Sequence, residues 1–258
     1  MALGSRIEWT EATWNPVSGC AVLSPGCTNC YAMRMARRLS LMGQDKYVGT
    51  TRITGGRAKW TGLIKFDHLA LDLPKRWKRG RLVFVNSMSD LFHDDVPLEY
   101  IKRVFLVMAE TPRHTYQVLT KRAERLEQLS GELNWPANVW MGVSVESQKY
   151  WYRTEHLRRT RACVRFLSLE PLLGPLTTLD LSGIHWVIAG GESGPGARPV
   201  RLEWLRAIRD ACVQQGVAFH FKQWGGVNKK RTGRVLDDRT WDDLPRTVDR
   251  HYAVEAAP

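Results

Sequence analysis

Short apolar runs, each closed by polar residues or glycine, recur at residues 82–85, 116–119, 139–143, 164–169, 186–189 and 217–221. Such runs read as strands buried on both faces of a parallel sheet. Between them the apolar period lengthens to that of a helix. Residues 98–109 place Ile101, Val104, Phe105 and Met108 on one face, and residues 203–214 do the same with Leu205, Ile208, Ala211 and Cys212. A further strand is expected at 12–15, running into a loop with three cysteines and then a helix from Tyr31 to about Leu41. About seven strands alternating with helices predict βαβ units in an α/β domain, either a barrel or an open sheet.

The pattern breaks twice. In residues 48–66 the pair Gly55-Gly56 separates two short runs, as a hairpin insertion would. After Gly225 the chain turns polar and basic, so residues 226–258 are expected to form a peripheral basic tail on a domain that spans residues 1–225. No run of 18 apolar residues occurs, and the first residues lack the apolar centre of a secretory signal. A cytoplasmic protein with no membrane contact is expected.

Ligands of α/β sheets and barrels gather where the strands end. Six successive strands here end in Asn86-Ser87-Met88-Ser89-Asp90, Thr120-Lys121-Arg122, Ser144-Val145-Glu146, Glu170-Pro171, Gly190-Gly191-Glu192-Ser193-Gly194 and Lys222-Gln223-Trp224. Hydrogen-bonding groups at all six ends predict a polar site at one mouth. Gly190 and Gly191 would let a ligand approach the backbone and Glu192 would accept a hydrogen bond, although a tight unliganded turn uses the same glycines. Lys121, Arg122, Arg198 and Lys222 either bind an anionic ligand or pair with Glu146, Glu170 and Glu192.

Cys20, Cys27 and Cys30 lie within eleven residues, and Pro25-Gly26 enforces a turn that lets the thiols converge. The chain has five cysteines, an odd number, and in a reducing compartment clustered cysteines are more often metal ligands or redox groups than disulfides. Structural zinc takes four protein ligands. No histidine precedes His68, and Cys163 and Cys212 fall at a strand start and inside a helix. Three thiolates suit a 4Fe-4S cluster that leaves one iron open. A zinc site completed by a distant residue, or three unmetallated thiols, are the alternatives.

These residues keep company with others. Ile7-Glu8-Trp9-Thr10, Thr13-Trp14-Asn15-Pro16, the cysteine loop with Tyr31-Ala32, and residues 84–92, 118–122, 142–146, 169–172, 190–194 and 221–224 together resemble, in order, the phage-associated three-Cys-motif proteins. The resemblance runs from about residue 6 to residue 225. That family's cysteine motif is similar to a variant of the radical S-adenosylmethionine signature, which spaces its cysteines by three and then two residues with an aromatic before the last. Here the first gap is six residues, Asn29 precedes Cys30, and the aromatic Tyr31 follows it.

The resemblance implies a TIM-like (β/α) barrel, whole or partial, with a parallel sheet as in radical S-adenosylmethionine enzymes. It implies a 4Fe-4S cluster on Cys20, Cys27 and Cys30, with S-adenosyl-L-methionine on the open iron as the source of a 5′-deoxyadenosyl radical. An electron donor such as flavodoxin or ferredoxin would serve it. By position it also implies Ser87, Ser89 and Asp90 at the methionyl amino group, Ser144 and Glu146 at the methionyl carboxylate or ribose, and Glu170 at the ribose or substrate. Gly190, Gly191 and Glu192 would also face the cofactor, but outside the amino-binding role of the radical enzymes' Gly-Gly-Glu element, which follows an earlier strand.

A formal charge of +12, from 38 Lys and Arg against 26 Asp and Glu, favours an anionic substrate such as a nucleotide, nucleoside or nucleic-acid component. Ordinary solvated helix faces would give the same charge. A partner protein is compatible with either. Two other functions compete. One is a metal-stabilised nucleic-acid-binding protein without radical chemistry, whose basic surface and eleven Trp residues track phosphate and stack bases. The other is a hydrolase or transferase using a divalent metal on Asp90, Glu146, Glu170 and Glu192.

Overall fold

The computed structural model describes residues 4, 5 and 7–245. Its strands are β1 (Ala12–Trp14), β2 (Val17–Ser18), β3 (Thr51–Thr54), β4 (Arg57–Trp60), β5 (Lys65–Phe66), β6 (Leu82–Val85), β7 (Thr115–Thr120), β8 (Val139–Ser144), β9 (Val164–Leu169), β10 (Trp186–Gly190) and β11 (Ala218–Gln223). The helices are α1 (Tyr31–Leu41), α2 (His68–Leu71), α3 (Leu98–Glu110), α4 (Ala123–Ser130), α5 (Tyr152–Arg158), α6 (Leu202–Gln214) and α7 (Lys229–Thr232). Seven strands form one sheet in the order β1-β6-β7-β8-β9-β10-β11, and every neighbouring pair is parallel. With β1 and β11 left as edges, the sheet curls into a half-barrel rather than a closed TIM barrel.

The two faces of the sheet carry different cores because side chains alternate along a strand. Val83, Val118, Met141, Leu167, Val187 and Phe219 point to the helix-covered face and join the main core with Val104, Leu126 and Leu205. Phe84, Trp140, Phe166, Trp186 and Ile188 point the other way and pack around Trp9 in a separate cluster. Each such aromatic, once buried, contributes about 2 kcal/mol from the area it removes from water. Gly142 bears no side chain because the Phe166 ring lies 2.5 Å from where its Cβ would stand. Curvature brings the two edges together on this concave face. Trp9, just before β1, has its ring 4.7 Å from Phe84 and 6.2 Å from Trp186, and Lys222 of β11 places its ammonium 5.9 Å from the same ring.

The insertion at 48–66 holds the expected hairpin. β3 and β4 pair antiparallel around Gly55-Gly56, whose φ values of 56° and 70° suit a tight turn that few other residues would adopt. The hairpin packs on α1, and Trp60 joins the apolar cluster around the cysteines. β5 leaves the hairpin to pair antiparallel with β2.

The reading of the segment after Gly225 as a peripheral tail needs correction as far as residue 245. Leu236 is fully buried in the main core, and the amide of Phe221 donates to Trp241 O at 2.9 Å. The segment therefore covers the β11 edge, which would otherwise expose unpaired backbone. The rest of that stretch, 246–258, lies outside the described residues. No helix among the described residues is long and apolar enough to cross a membrane.

Candidate functional site

The cysteine loop sits over the carboxyl ends of the strands. Gly19, at φ 91°, pairs with Ser89 and passes so close to Leu63 O that no Cβ fits. A 3-10 turn over Pro25–Cys27 follows, and Cys30 takes the N-cap position of α1. The three cysteines pack with Met33, Tyr47, Trp60 and Met88, and all three line one cavity of about 270 Å³. Trp9 and Phe84 of the concave cluster line it too, with Ser87, Ser89, Asp90, Ser144, Glu170, Gly191 and Glu192 from the strand ends. Of the residues expected at a ligand, Glu146, Gly190 and Arg198 lie off this wall.

Glu146 works behind the cysteine loop. Fully buried, it accepts from Ser24 Oγ, from Lys121 Nζ at 2.5 Å and from Arg153 Nη1 at 3.0 Å. Its carboxylate fills the space where a Cβ on Gly26 would go. Burial works to raise the Glu146 carboxyl, but Lys121, Ser24 and Arg153 outweigh it and leave it below the usual carboxylate range. Gly190 has a comparable spatial role, since a Cβ there would stand 2.8 Å from Glu170 Oε1.

Every one of the four carboxylates has its own cation, so the pairing alternative for the basic residues holds. Asp90 accepts from Arg122 Nη1 at 3.1 Å, Thr120 Oγ1 at 2.7 Å, Lys121 N at 3.1 Å and Phe92 N at 3.0 Å. Glu192 is gripped by Arg198, at 2.5 Å and 2.8 Å, and by Asn29 Nδ2 at 2.9 Å. Arg198 also donates to Pro25 O at 2.9 Å, which ties the β10 end to the cysteine loop. Lys222 Nζ lies 3.3 Å from Glu170, whose Oε1 accepts no hydrogen bond and is buried. Ser87 and Ser89 face the cavity while their hydroxyls donate to Asn15 Oδ1 and Val17 O.

Cys20 and Cys30 resist ionisation. Burial pushes the Cys20 thiol up to about 12, with Asp90 and the neighbouring thiols adding to the rise and Arg122 opposing it. Burial also raises Cys30, against the pull of the Ala32 and Met33 amides at the start of α1. Cys163 is exposed and Cys212 is buried within α6, and no histidine lines the cavity, so Cys20, Cys27 and Cys30 are the thiols that face it. Among the described residues no group of three or more His, Cys, Asp or Glu is placed to hold a metal ion.

Several positioning residues escaped the sequence. Ser24, Asn29 and Arg153 carry no pattern of their own. Arg153 is 1% exposed and lies 4.4 Å from the Tyr150 ring. The Pro25-Gly26 turn was the one available hint that the loop docks on something. A family model described as "Protein of unknown function (DUF5131)" matches residues 4–245. No curated protein matches the chain, and no solved structure does.

Proposed function

The chain belongs to the DUF5131 family, whose function is unknown, and we propose that it is a radical S-adenosylmethionine enzyme acting on an anionic nucleotide, nucleoside or nucleic-acid component. A 4Fe-4S cluster on Cys20, Cys27 and Cys30 is the cofactor of this reading, with flavodoxin or ferredoxin as electron donor. The block-by-block likeness to the phage-associated three-Cys-motif proteins supports it. The observation that carries it is the cavity itself, where three cysteines with no fourth thiol or imidazole share one wall with the polar carboxyl ends of a parallel half-barrel.

When bound, the cluster and S-adenosylmethionine supply a one-electron reductant and a source of an organic radical. The chain's own residues do the rest. Glu146 and Glu192, each neutralised by a cation, brace the cysteine loop at Ser24, Gly26, Pro25 and Asn29, so the thiols keep their places. Trp9, Phe84 and Trp60 on the cavity wall keep water from reactive species. Glu170 Oε1, which accepts no hydrogen bond though Lys222 Nζ stands 3.3 Å away, can accept from a hydroxyl or amino donor of the ligand. A divalent-metal hydrolase reading is weaker, because Asp90, Glu146 and Glu192 already spend their oxygens on protein donors.

The test is product analysis. Anaerobically reconstituted protein treated with dithionite and S-adenosylmethionine should release 5′-deoxyadenosine and methionine, and Cys20→Ser, Cys27→Ser and Cys30→Ser variants should release neither. Fully iron-loaded protein that leaves S-adenosylmethionine intact contradicts the proposal.

A further inference from the structure

Acidic residues are missing from four stretches of this chain. Residues 12–44, 46–66, 193–202 and 211–236 contain no Asp or Glu at all, yet hold fifteen of the 38 Lys and Arg. The remainder of the chain is therefore slightly acidic, and the net charge of +12 belongs entirely to these four.

Far apart in sequence, they meet at one place. The β3–β4 hairpin packs on α1. Arg57 donates to Asn29 Oδ1 at 3.3 Å and Lys59 to Thr28 O at 3.1 Å, both in the cysteine loop. The Arg34 guanidinium lies against Gly194, and Gly194 N donates to Gly226 O at 2.9 Å. Each stretch also lends a residue to the cavity wall: Tyr31, Trp60, Ser193 and Lys222. The acid-free surface is thus the rim of the mouth.

The four stretches carry cations with no carboxylate of their own. Arg34, Arg38, Arg52, Lys230 and Arg231 are exposed, and none of them has an acidic partner among the described residues. The cations that line the cavity, Lys121, Arg122 and Lys222, differ, each being matched by a carboxylate. A small anionic metabolite would be met by the inner groups alone. Unmatched charge spread around the rim suits a ligand that extends beyond the cavity with charge repeated along its length. Tyr31, nearly half exposed at the mouth, offers a face on which a base can stack.

We infer that the rim is a docking surface for a single nucleic-acid strand, lying over the β3–β4 hairpin and the start of α1, with one nucleotide entering the cavity. The inference rests on reading the cavity as the reaction site, but strand binding needs no cluster and can be measured without chemistry. A single strand is specified because the entering nucleotide must leave any duplex stack, which costs energy in double-stranded nucleic acid.

Fluorescence anisotropy on the full-length protein, with labelled 15-nucleotide single-stranded DNA, single-stranded RNA and duplex DNA, tests this between 50 and 200 mM salt. At least one single strand should bind, tighter than the duplex, with affinity falling about 50-fold across that range for four phosphate contacts. The Arg34→Glu, Arg52→Glu, Arg57→Glu triple variant should bind at least about 10-fold more weakly and lower the log–log salt slope by about 2. Lys78→Glu with Arg79→Glu, exposed before β6 at the far end of the barrel, should change affinity less than about 2-fold. A preference between DNA and RNA names the strand. No binding, tighter duplex binding, equal loss in both variants, or salt-insensitive retention overturns the inference, the last pointing to a protein partner. Strand binding without 5′-deoxyadenosine release leaves the docking surface standing and removes the radical chemistry; release without strand binding does the reverse.

Discussion

Single residues here decide whether the cysteine loop stays in place. Glu146 has no exposed surface and neutralises Lys121 and the 1%-exposed Arg153. Removing one partner of a buried ion pair strands the other's charge, at a cost of about 3–5 kcal/mol. Glu146→Gln should therefore lower the midpoint of thermal unfolding by at least roughly 6 °C, and iron loading should fall with it because Ser24 and Gly26 lose their seat. Differential scanning calorimetry checks the first outcome and iron analysis the second. A midpoint within 1 °C of the parent would show that Glu146 carries no such load. The sequence marked Glu146 as a ligand contact from its place after a strand. That reading could not see Arg153, which comes from the following helix and claims the carboxylate for the fold.

Among the elements, the concave face of the sheet has a pH dependence built into it. His220 points into that face from β11, 3% exposed, and neither ring nitrogen makes a hydrogen bond. Burial, with Arg234 and Lys222 nearby, lowers it from 6.5 to about 4. Its folded value lies below its unfolded value, so the folded state holds fewer protons. The stability it contributes is complete above 6.5 and is lost as pH falls from 6.5 through 4, by about 3 kcal/mol in all. Urea unfolding of His220→Leu at pH 6.5, 5.5 and 4.5 should show a slope shallower than the parent by up to about 1.4 kcal/mol per pH unit. Equal slopes would mean that His220 already pairs or ionises in the fold.

Elements were also what the chain pattern revealed best. All seven strands of the large sheet, and α1, α3 and α6, fall within a residue or two of the apolar runs, because burial on both faces leaves no polar interruption to blur them. The Gly55-Gly56 hairpin was equally plain. The β2–β5 ribbon was not, since two-residue strands carry no periodicity. The stretch after Gly225 misled for a related reason: its few apolar anchors, Leu236 and Trp241, are scattered among polar residues that face solvent.

At the scale of the molecule, an open half-barrel with an aromatic interior presents one polar mouth, and the cysteine loop, the strand ends and the acid-free basic stretches all face it. The gathering of strand-end residues was legible because a parallel sheet puts all its carboxyl ends on one side. The partnering of each carboxylate with its own cation was not, because ion pairs join residues far apart in sequence, as Lys222 joins Glu170. With the carboxylates paired, Cys20, Cys27 and Cys30 are the soft donors that face the cavity. The most direct measurement is electron paramagnetic resonance of the anaerobically reconstituted, dithionite-reduced protein with and without S-adenosylmethionine. A reduced 4Fe-4S signal that changes shape when S-adenosylmethionine is added is the expected result, since an iron without a protein ligand is open to it. A signal that S-adenosylmethionine leaves unchanged, or colourless protein that retains zinc and no iron, would contradict it.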